Sequence, residues 1–513
     1  MTHSSSPIPN YPESYWLHAE RASYPSLLEN LEVDVAVVGG GIAGITSAYL
    51  LAKEGKSVVL LEADQVLGGT TGHTTAKISA QHGLIYEELI QHIGEEDAKL
   101  YYESNRDALH FIKEAIETEG IACDFTHEDA YIYSVSEKKA HAIKKEWEAY
   151  KKLGIDGEIL DRIPFTISTT KAIKMSNQAQ FHPVNYLRGL LETFTQLGGQ
   201  VFEHTVCIDV EDEETAVKVI TKKGPTVTCQ HVVAATHFPF YDGNGLYFAR
   251  MEPERSYTLA VKSKETYPGG MYLSADDPKR SLRSTEYNGE KLILVGGENH
   301  KTGEGIETSK HYEHLLAFAE ETVGVDSIPF RWSAQDLLTL DKIPYIGYVT
   351  KKKQGVLVAT GFQKWGMTLG TVAGKLVTDI ICDRANPYKE LYDPSRFHAD
   401  PSIKKFMKMN SDVAYRFFEG KLDFLQRKSV DDVGIDKGSP VHFRGSRAGA
   451  YRDVHGAVHI VDTTCTHLGC ECEWNDGERT WDCPCHGSRF SYKGDVVEGP
   501  ADQPLHLLQS DEE

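Results

Sequence analysis

The apolar positions near the start of the chain form short, nearly continuous runs rather than an alternating pattern. Residues 33–38 are a run of this kind, and a glycine-rich turn and a helical stretch over residues 45–54 follow it. Residues 57–61 form a second apolar run, which ends at Glu62. Strands buried on both faces of a parallel sheet carry such runs, because helices cover the sheet. The pattern therefore predicts a strand–helix–strand unit of an α/β fold.

The turn of this unit contains glycines in the spacing G-x-G-x-x-G, at Gly39, Gly41 and Gly44. In such a turn the first glycine permits the tight bend, the second lets the backbone approach a pyrophosphate, and the third allows close helix–strand packing. Glu62 is placed to accept hydrogen bonds from ribose hydroxyls. Strand, glycines, helix, strand and acid occur in the required order, so we predict a bound dinucleotide.

Changes in composition and pattern divide the 513 residues into further units. The first stretch is polar and proline-dotted and is interpreted as an arm laid over the surface. A later stretch mixes charged and apolar groups without a clear period, and the C-terminal stretch has the short strands and glycines of a small β domain. The predicted units are an arm (1–30), a dinucleotide-binding domain (31–385) with substrate-domain segments at about 90–175 and 238–330, a connector (386–430) and a β domain (431–513).

Charge and composition narrow the classes of function. The formal net charge of −21 argues against a nucleic-acid partner, because contacts to the phosphate backbone require a basic face. The hydrophobic content of 40% is ordinary for a globular protein, and no apolar run is long enough to cross a bilayer. Residues 1–10 show no basic segment followed by an apolar one, so no export signal is visible. We therefore expect a cytoplasmic protein without a membrane span.

Two Cys/His boxes near the C-terminus carry candidate redox chemistry. The first pairs Cys465 with His467, and the second pairs Cys483 with His486. Two thiolates and two neutral imidazoles on adjacent loops suit a [2Fe–2S] cluster in which one iron takes both sulfurs and the other both nitrogens. A structural zinc site uses the same residue types, but zinc motifs normally open with a C-x₂₋₄-C pair. The box spacing therefore favours the cluster over zinc.

The two boxes resemble those of the Rieske family. The resemblance implies that Cys470 and Cys485, the additional cysteine of each box, form the disulfide that ties the ligand loops in high-potential members. It also implies that the loop at Gly499 and Pro500 covers the cluster. Cys472 has no counterpart in this pattern and is left over.

The same resemblance makes a prediction about the redox potential. In high-potential members, a serine and a tyrosine shortly after the second-box histidine donate hydrogen bonds to cluster sulfurs. Ser488 keeps the first donor, but Phe490 stands at the position of the second. A donor to sulfur stabilises the reduced cluster, which carries the extra negative charge, so we expect a lowered potential.

Blocks across residues 30–385 resemble the superfamily of FAD enzymes that contains D-amino-acid oxidase and glycine oxidase. Besides the fingerprint, the blocks are a loop of small residues at 68–75 and a strand leading into a glycine-rich helix start at 356–370. The resemblance implies an α/β FAD-binding domain (Rossmann-like, glutathione-reductase type) with an α+β substrate domain, followed by the small all-β Rieske domain. The FAD contacts that it adds are Gly69, Thr70, His73, Val206 on the strand after Gly199, Gly361, Gly366, Met367 and Thr368.

The attachment of FAD is open at this stage. Some amine-oxidising relatives bind FAD covalently through a histidine placed as His73 is, shortly after the second glycine block. A noncovalent flavin with His73 in the pocket wall is favoured, because pocket histidines have many uses.

The chain contains one dinucleotide fingerprint, so nothing indicates a separate nicotinamide domain. We therefore expect FAD to oxidise a small amine or amino acid at the C–N bond and the cluster to pass the electrons singly to an external acceptor. One alternative is an electron-transfer component for a partner oxygenase or reductase, without a substrate of its own. Another is a redox sensor in which the cluster state controls partner binding.

The substrate is less clear from the sequence. Amino-acid oxidising members hold the substrate carboxylate with an arginine at about the position of Asp336, which would instead attract a cationic amine. Arg331 lies nearby and is a second candidate for that position. Glu298, His300 and Lys301 follow an apolar strand and are candidates to face the flavin or to be ordinary strand-end residues. No catalytic base is assigned.

Overall fold

A computed structural model describes residues 7–212, 216–397, 399–422 and 428–510. The first six residues of the predicted arm, six residues of the predicted connector and the last three residues of the β domain lie outside the described ranges. Strands are numbered β1–β27 and helices α1–α8 in chain order.

The predicted strand–helix–strand unit lies at the centre of a six-stranded sheet of order β18–β19–β12–β2–β3–β8. Neighbouring strands are parallel except for the β18–β19 pair. Val35 and Val37 pack with α1 and α6 on one face, whereas Ala36 and Val38 pack against a small sheet on the other. This two-sided burial explains the continuous apolar runs. The strands are β2 (Val35–Val38), β3 (Val58–Leu61), β8 (Gln200–Phe202), β12 (His231–Ala234), β18 (Tyr345–Thr350) and β19 (Lys353–Thr360).

The small sheet has the order β1–β11–β10–β9 and closes the second face of the dinucleotide-binding domain. Its β10–β11 hairpin turns at residues 222–225, where Gly224 has a φ of 109° that favours glycine. The strands are β1 (Leu31–Glu32), β9 (Cys207–Asp212), β10 (Val217–Thr221) and β11 (Thr226–Cys229).

A nine-stranded sheet forms the substrate domain, with the order β17–β13–β16–β15–β14–β5–β7–β4 and β6 paired to β7. It combines segments that are distant in sequence, as the two predicted substrate-domain segments require. The strands are β4 (Lys77–Ile78), β5 (Thr126–Ser134), β6 (Glu158–Leu160), β7 (Lys171–Gln180), β13 (Met251–Ser263), β14 (Met271–Ser274), β15 (Arg280–Tyr287), β16 (Glu290–Lys301) and β17 (Val325–Thr339).

The C-terminal domain consists of two four-stranded antiparallel sheets, and the Cys/His boxes lie on loops that flank the second. The first sheet contains β20 (Lys437–Phe443), β21 (Ser446–Arg452), β22 (Val458–Val461) and β27 (Leu507–Ser510). The second contains β23 (Glu473–Asn475), β24 (Thr480–Asp482), β25 (Arg489–Ser491) and β26 (Val496–Glu498).

Two helices begin at residues that commonly start a helix, and a glycine interrupts a third. Ser136 caps α3 by accepting from the Lys139 amide, and Pro183 opens α4. Gly94 interrupts α2 with a φ of 87°. The helices are α1 (Ile42–Lys53), α2 (Tyr86–Glu119), α3 (Glu137–Leu153), α4 (Pro183–Gln196), α5 (Ser309–Thr322), α6 (Gly366–Ile381), α7 (Lys389–Tyr392) and α8 (Ala399–Leu422), with short 3₁₀ turns at Tyr15–His18, Thr70–His73, Tyr247–Ala249 and Val430–Asp432.

The fold class expected from the sequence is confirmed, but two segments differ from expectation. The N-terminal arm does not simply lie over the surface, because Tyr15, Trp16 and Leu27 are each at most 3% exposed. Burying two large aromatic rings makes the arm part of the core. The predicted connector contains the helix α8, and Val413 and Phe417 of this helix pack against the buried cysteines of the C-terminal domain.

Gly44 offers a test of the close packing on which the first βα turn depends. A Cβ added at Gly44 would lie 1.9 Å from the Gly39 carbonyl oxygen, which a side chain cannot tolerate. We expect Gly44→Ala to lose bound flavin and to destabilise the domain by about 1–3 kcal/mol or more. Flavin content after purification and urea unfolding measure these effects. Gly434→Ala is the control, since its Cβ would meet only Lys437 Cγ at 3.9 Å; a Gly44→Ala protein with full flavin content would contradict the packing argument.

Candidate functional site

A single large cavity joins the dinucleotide-binding turn to the substrate-domain sheet and to the C-terminal domain. Its volume is about 1660 Å³, which exceeds the roughly 300–1,000 Å³ of an ordinary small-ligand site and suits a dinucleotide with a small substrate. Of the predicted dinucleotide contacts, those in its wall are Gly39, Gly41, Glu62, Gly69, Thr70, His73, Val206, Gly366 and Met367.

The dinucleotide end of the cavity has the geometry of an anion-binding helix start. Gly39 has a φ of 110°, and a Cβ there would lie 2.4 Å from the Ala235 carbonyl oxygen. Gly41 precedes α1, and Gly41, Ile42 and Ala43 line the cavity, so the start of this helix borders it. Glu62 accepts hydrogen bonds from the Gly40 amide at 2.7 Å and the Asp64 amide at 3.0 Å, so its carboxylate is fixed beside the turn.

Two indole rings hold the second glycine loop by its backbone. Trp16 of the arm donates from Nε1 to the Thr74 carbonyl, and Trp332 of β17 donates to the His73 carbonyl, each at 2.8 Å. The His73 ring is hydrogen-bonded through Nδ1 to the Gly69 carbonyl at 2.9 Å. Burial lowers the pKa of His73, so a neutral ring lines the cavity. The loop is therefore rigid where it borders the cavity.

The remaining predicted contacts lie beside or behind the wall. Gly44 serves helix packing, and Val206 lies in the loop before β9 rather than on a strand. Gly361 has a φ of 77° and sits against Thr339, where an added Cβ would be 2.4 Å from Cγ2. Thr368 is buried and its hydroxyl contacts His82 Nε2 at 3.2 Å. The structure therefore gives Gly361 and Thr368 supporting positions under the start of α6.

Together these features fit FAD. Two helix starts, at Gly41 and Gly366, border one long cavity that also contains the Glu62 carboxylate. At Gly69 and Gly366 an added Cβ would meet no protein atom within 4 Å, so bare backbone borders the cavity at these two positions. Gly39 to Gly41, Glu62 and the start of α6 would hold the cofactor.

The acid expected to attract a cationic amine already has a partner. Asp336 lies in the cavity wall, and Lys364 Nζ contacts it at 3.1 Å and Glu254 at 2.9 Å. Burial raises the pKa of Asp336, and Lys364 partly offsets this effect. The other candidate, Arg331, is outside the cavity wall and donates to the carbonyls of residues 9, 10 and 477. Neither residue is a free group for the substrate.

The three strand-end candidates also have structural partners away from the cavity. Glu298 accepts from Nδ1 of His311 at 2.8 Å and from Nδ1 of His314 at 3.0 Å. His300 stacks on His311 with ring centroids 4.5 Å apart. Lys301 pairs with Glu304 at 3.0 Å. Of residues 298–301, Asn299 is the one in the cavity wall.

The second candidate site lies where the two Cys/His boxes meet. The sulfurs of Cys465 and Cys483 lie within 4.8 Å of each other and of a third thiol, Cys472. Cys470 and Cys485 are joined by a disulfide that connects the two box loops. Hydrogen bonds from the neighbouring Cys472 and Cys483 thiols lower the pKa of Cys465. Cys465 is therefore poised as a thiolate in this pair of loops.

The two box histidines complete the donor set. The His467 and His486 rings are 5.0 Å apart and nearly perpendicular. His467 Nδ1 is buried without a hydrogen-bond partner in the described chain, and burial lowers the pKa of His486 to about 4. Two thiols and two neutral imidazoles fit a [2Fe–2S] cluster of mixed ligation, and the unpaired Nδ1 belongs to one of these imidazoles. Ser488 is fully buried, and its hydroxyl both accepts from the Ala501 amide at 3.0 Å and contributes to the low pKa of Cys465.

Phe248, in the 3₁₀ turn just before β13 of the substrate-domain sheet, packs edge-on against both histidines, at centroid distances of 5.5 Å to His467 and 5.4 Å to His486. The second box is seated on the same part of the chain. Gln335 donates to the Gly487 carbonyl at 3.0 Å, and a Cβ at Gly487 would lie 2.5 Å from Pro253. The cluster site therefore faces the substrate-domain sheet directly.

Four residues of these sites were not identified as site residues from the sequence, each for a different reason. Trp16 lies in a stretch without periodicity, and Trp332 lies in a strand where an aromatic is unremarkable. Phe248 reaches the histidines only because two domains meet. Cys472 had a signal, since a third cysteine so near the first box is unusual, but spacing alone does not show that it approaches both ligand sulfurs.

Comparison with known proteins agrees with this architecture. The family model "FAD dependent oxidoreductase" matches residues 34–380, and the model "Rieske [2Fe-2S] domain" matches residues 426–509. The chain is 50% identical over 501 residues to the putative Rieske 2Fe-2S iron-sulfur protein YhfW of Bacillus subtilis, covering 98% of each chain. It is 25% identical over 387 residues to gamma-glutamylputrescine oxidoreductase of Escherichia coli, covering 70% of this chain and 86% of the relative.

Among solved structures, glycine oxidase from Geobacillus kaustophilus is similar in fold, with a TM-score of 0.61 at 18% identity over 72% of this chain and 100% of that chain.

Across the ranges described, no helix combines the length and the apolarity needed to span a bilayer.

The ligand assignment leads to a prediction in which Cys472 is the matched control. Cys465→Ser or His486→Ala should abolish the rhombic [2Fe–2S] resonance while flavin content is retained, because the predicted FAD contacts lie outside the Rieske domain. Cys472→Ala should keep the resonance, since it removes only a neighbouring thiol. Electron paramagnetic resonance of the reduced protein makes the measurement. A cluster signal in either ligand variant, or stoichiometric zinc in place of iron and sulfide, would contradict the assignment.

The buried Phe490, which packs in the same cluster of side chains as Cys465, leads to a second prediction. Phe490→Tyr should raise the cluster midpoint potential and Ser488→Ala should lower it, because a donor to sulfur stabilises the reduced state. A hydrogen bond to a charged group is worth roughly 1.5–3 kcal/mol, and about 59 mV corresponds to 1.4 kcal/mol. The difference in bond strength between the oxidised and reduced states is smaller than the whole bond, so shifts on the order of tens of millivolts are expected. Redox titration of the full chain tests both. A Phe490→Tyr midpoint at or below wild type would show that the new hydroxyl does not reach sulfur.

Proposed function

Because this chain belongs to the family of FAD-dependent oxidoreductases and carries a C-terminal Rieske [2Fe–2S] domain, we propose that it oxidises a small amine or amino acid at the C–N bond and passes the electrons singly through the cluster to an external acceptor. FAD would accept two electrons from the substrate, and the cluster would carry one at a time.

One observation carries this proposal: a single loop of the Rieske domain contacts both sites. Residues 497–502 line the cavity that fits FAD. From the same loop, the Ala501 amide donates to Ser488, which lies beside Cys465. A chain whose two cofactor sites share one loop is organised for transfer between them. The arrangement supports an enzyme with internal electron transfer.

The relatives support the substrate class. The names of two similar proteins refer to gamma-glutamylputrescine, an amine, and to glycine, an amino acid. Both are oxidised, according to those names. The cavity offers space beyond the dinucleotide loops, against the substrate-domain sheet, for a molecule of this size.

The proposed roles of the chain's own residues follow from their positions. Gly39, Gly41, Glu62, Gly69, Thr70, His73, Val206, Gly366 and Met367 would hold FAD, with Gly44, Gly361 and Thr368 supporting its loops. Cys465, His467, Cys483 and His486 would hold the cluster. The Rieske loop at residues 497–502 closes one side of the cavity and so limits the access of water to the reacting carbon.

Anaerobic mixing with a panel of amines and amino acids tests the proposal. A substrate should bleach the flavin absorption first, and the [2Fe–2S] resonance of the reduced cluster should appear afterwards. Cys465→Ser is the control, because flavin bleaching should persist while the resonance is lost. If no compound bleaches the flavin, but a reduced carrier protein reduces the cluster, the chain is an electron-transfer component without a substrate of its own.

A further inference from the structure

Lys77 is a cation in the cavity wall that the rest of the described chain leaves without a carboxylate. It lies on β4, at the edge of the substrate-domain sheet, where it pairs with Gln180 of β7. Its Nζ has one hydrogen-bond partner among the described residues, the Thr75 hydroxyl at 3.4 Å. Five other lysines line the same cavity. Four of them have carboxylate partners: Lys139 and Lys279 with Asp277, Lys342 with Glu88, and Lys364 with Asp336. The fifth, Lys222, donates to the Asp502 carbonyl at 3.2 Å, away from the substrate-domain sheet.

A second buried cation lies behind Lys77. Arg283 is 1% exposed and donates only to backbone carbonyls, those of Thr75 at 3.0 Å, Ala76 at 2.7 Å and Ser284 at 3.1 Å. Burial, reinforced by Arg283, lowers the pKa of Lys77 to about 7. Cations that are removed from water without a partner are costly, so this corner of the cavity favours an anion.

Hydroxyl-bearing residues of the cavity wall lie close to Thr75, the residue that Lys77 contacts. A Cβ added at Gly296 would lie 2.9 Å from Ser281 Oγ, 3.6 Å from Thr75 Cγ2 and 3.7 Å from Thr258 Oγ1. The absence of a side chain at Gly296 therefore leaves room among three hydroxyl-bearing residues. Within the part of the chain that the structure describes, the hydroxyls of Ser281 and Thr258 make no hydrogen bond, and both residues line the cavity.

We propose that Lys77 binds an anionic group of the substrate, with the Ser281 and Thr258 hydroxyls as further donors, so that the enzyme selects amines that carry a carboxylate over amines without one. This inference rests on the proposed amine or amino-acid oxidation and specifies its substrate class. It also accounts for the cavity charges, since Asp336 is paired with Lys364 and Arg331 is engaged elsewhere. Lys77 is the cation that remains for the substrate at this end of the cavity.

The test measures binding without turnover. Acetate and benzoate, two unreactive carboxylates of different size, are titrated into the oxidised holoenzyme, and binding is followed by the change in visible flavin absorption. Lys77→Met should weaken carboxylate binding by about 10- to 100-fold, the loss expected for a charge-assisted hydrogen bond. Lys77→Arg should restore much of it. Lys342→Met is the control and should stay within about twofold of wild type, because Glu88 already neutralises Lys342.

Ser281→Ala is a second variant, which keeps the charge of Lys77 and removes one hydroxyl. It should weaken carboxylate binding by about 2- to 10-fold. The flavin midpoint potential is measured in each variant, and it should stay unchanged in Lys77→Met. A lowered flavin potential with unchanged carboxylate binding would show that Lys77 serves the flavin, and would overturn the proposal. Binding of neither carboxylate to the wild type would also overturn it.

The two proposals fail in different ways. If no amine or amino acid bleaches the flavin, the proposed oxidation is wrong, whatever the carboxylate titration shows. If amines without a carboxylate bleach the flavin as fast as amino acids and Lys77→Met binds acetate and benzoate as wild type does, the oxidation stands and the role of Lys77 is wrong.

Discussion

Glu498 lies between two arginines that come from different domains of the chain. Its carboxylate contacts Arg255 of β13 at 3.1 Å and Arg489 of β25 at 2.9 Å. Burial alone would raise the pKa of Glu498, but the two guanidinium groups outweigh it and lower the pKa. Removing one partner of a buried ion pair typically costs about 3–5 kcal/mol, because a charge is left without compensation. This constraint fixes the Rieske domain on the substrate-domain sheet.

The rest of the arrangement depends on that fixed position. With β26 held at Glu498, the following loop reaches the cavity on one side and Ser488 on the other. The second box packs closely against Gly303. A Cβ added at Gly303 would lie 2.8 Å from the backbone of Pro484. Phe248 then contacts both cluster histidines. The cluster site therefore meets the substrate-domain sheet through a packed interface.

Which charge the cavity offers to a substrate also depends on how its charged side chains pair with each other. Asp336 alone suggested a site for cationic amines, yet its nearest charged neighbour in the cavity is Lys364. No sequence pattern singled out Lys77, yet the fold places this lysine near hydroxyl-bearing residues and without a carboxylate partner in the described chain. In a medium of low dielectric the preference for an anion or a cation depends on the balance of nearby charges rather than on one residue. Beside Lys77 no carboxylate balances the charge in the described chain, which is the ground for the proposed anionic group of the substrate.

The sequence alone determined those parts of this protein that depend on residues a few positions apart. Gly39 to Gly44, Glu62 and the two Cys/His boxes act through spacing over a few residues, so the α/β domain and the Rieske domain were predictable. Tertiary structure decided what depends on distant partners. The arm became core because Trp16 reaches the second glycine loop, and α8 formed where no period was visible because its apolar residues meet the buried cysteines. Phe248 against the histidines and Lys77 without a carboxylate were likewise set by chain segments far apart in sequence, which no local pattern records.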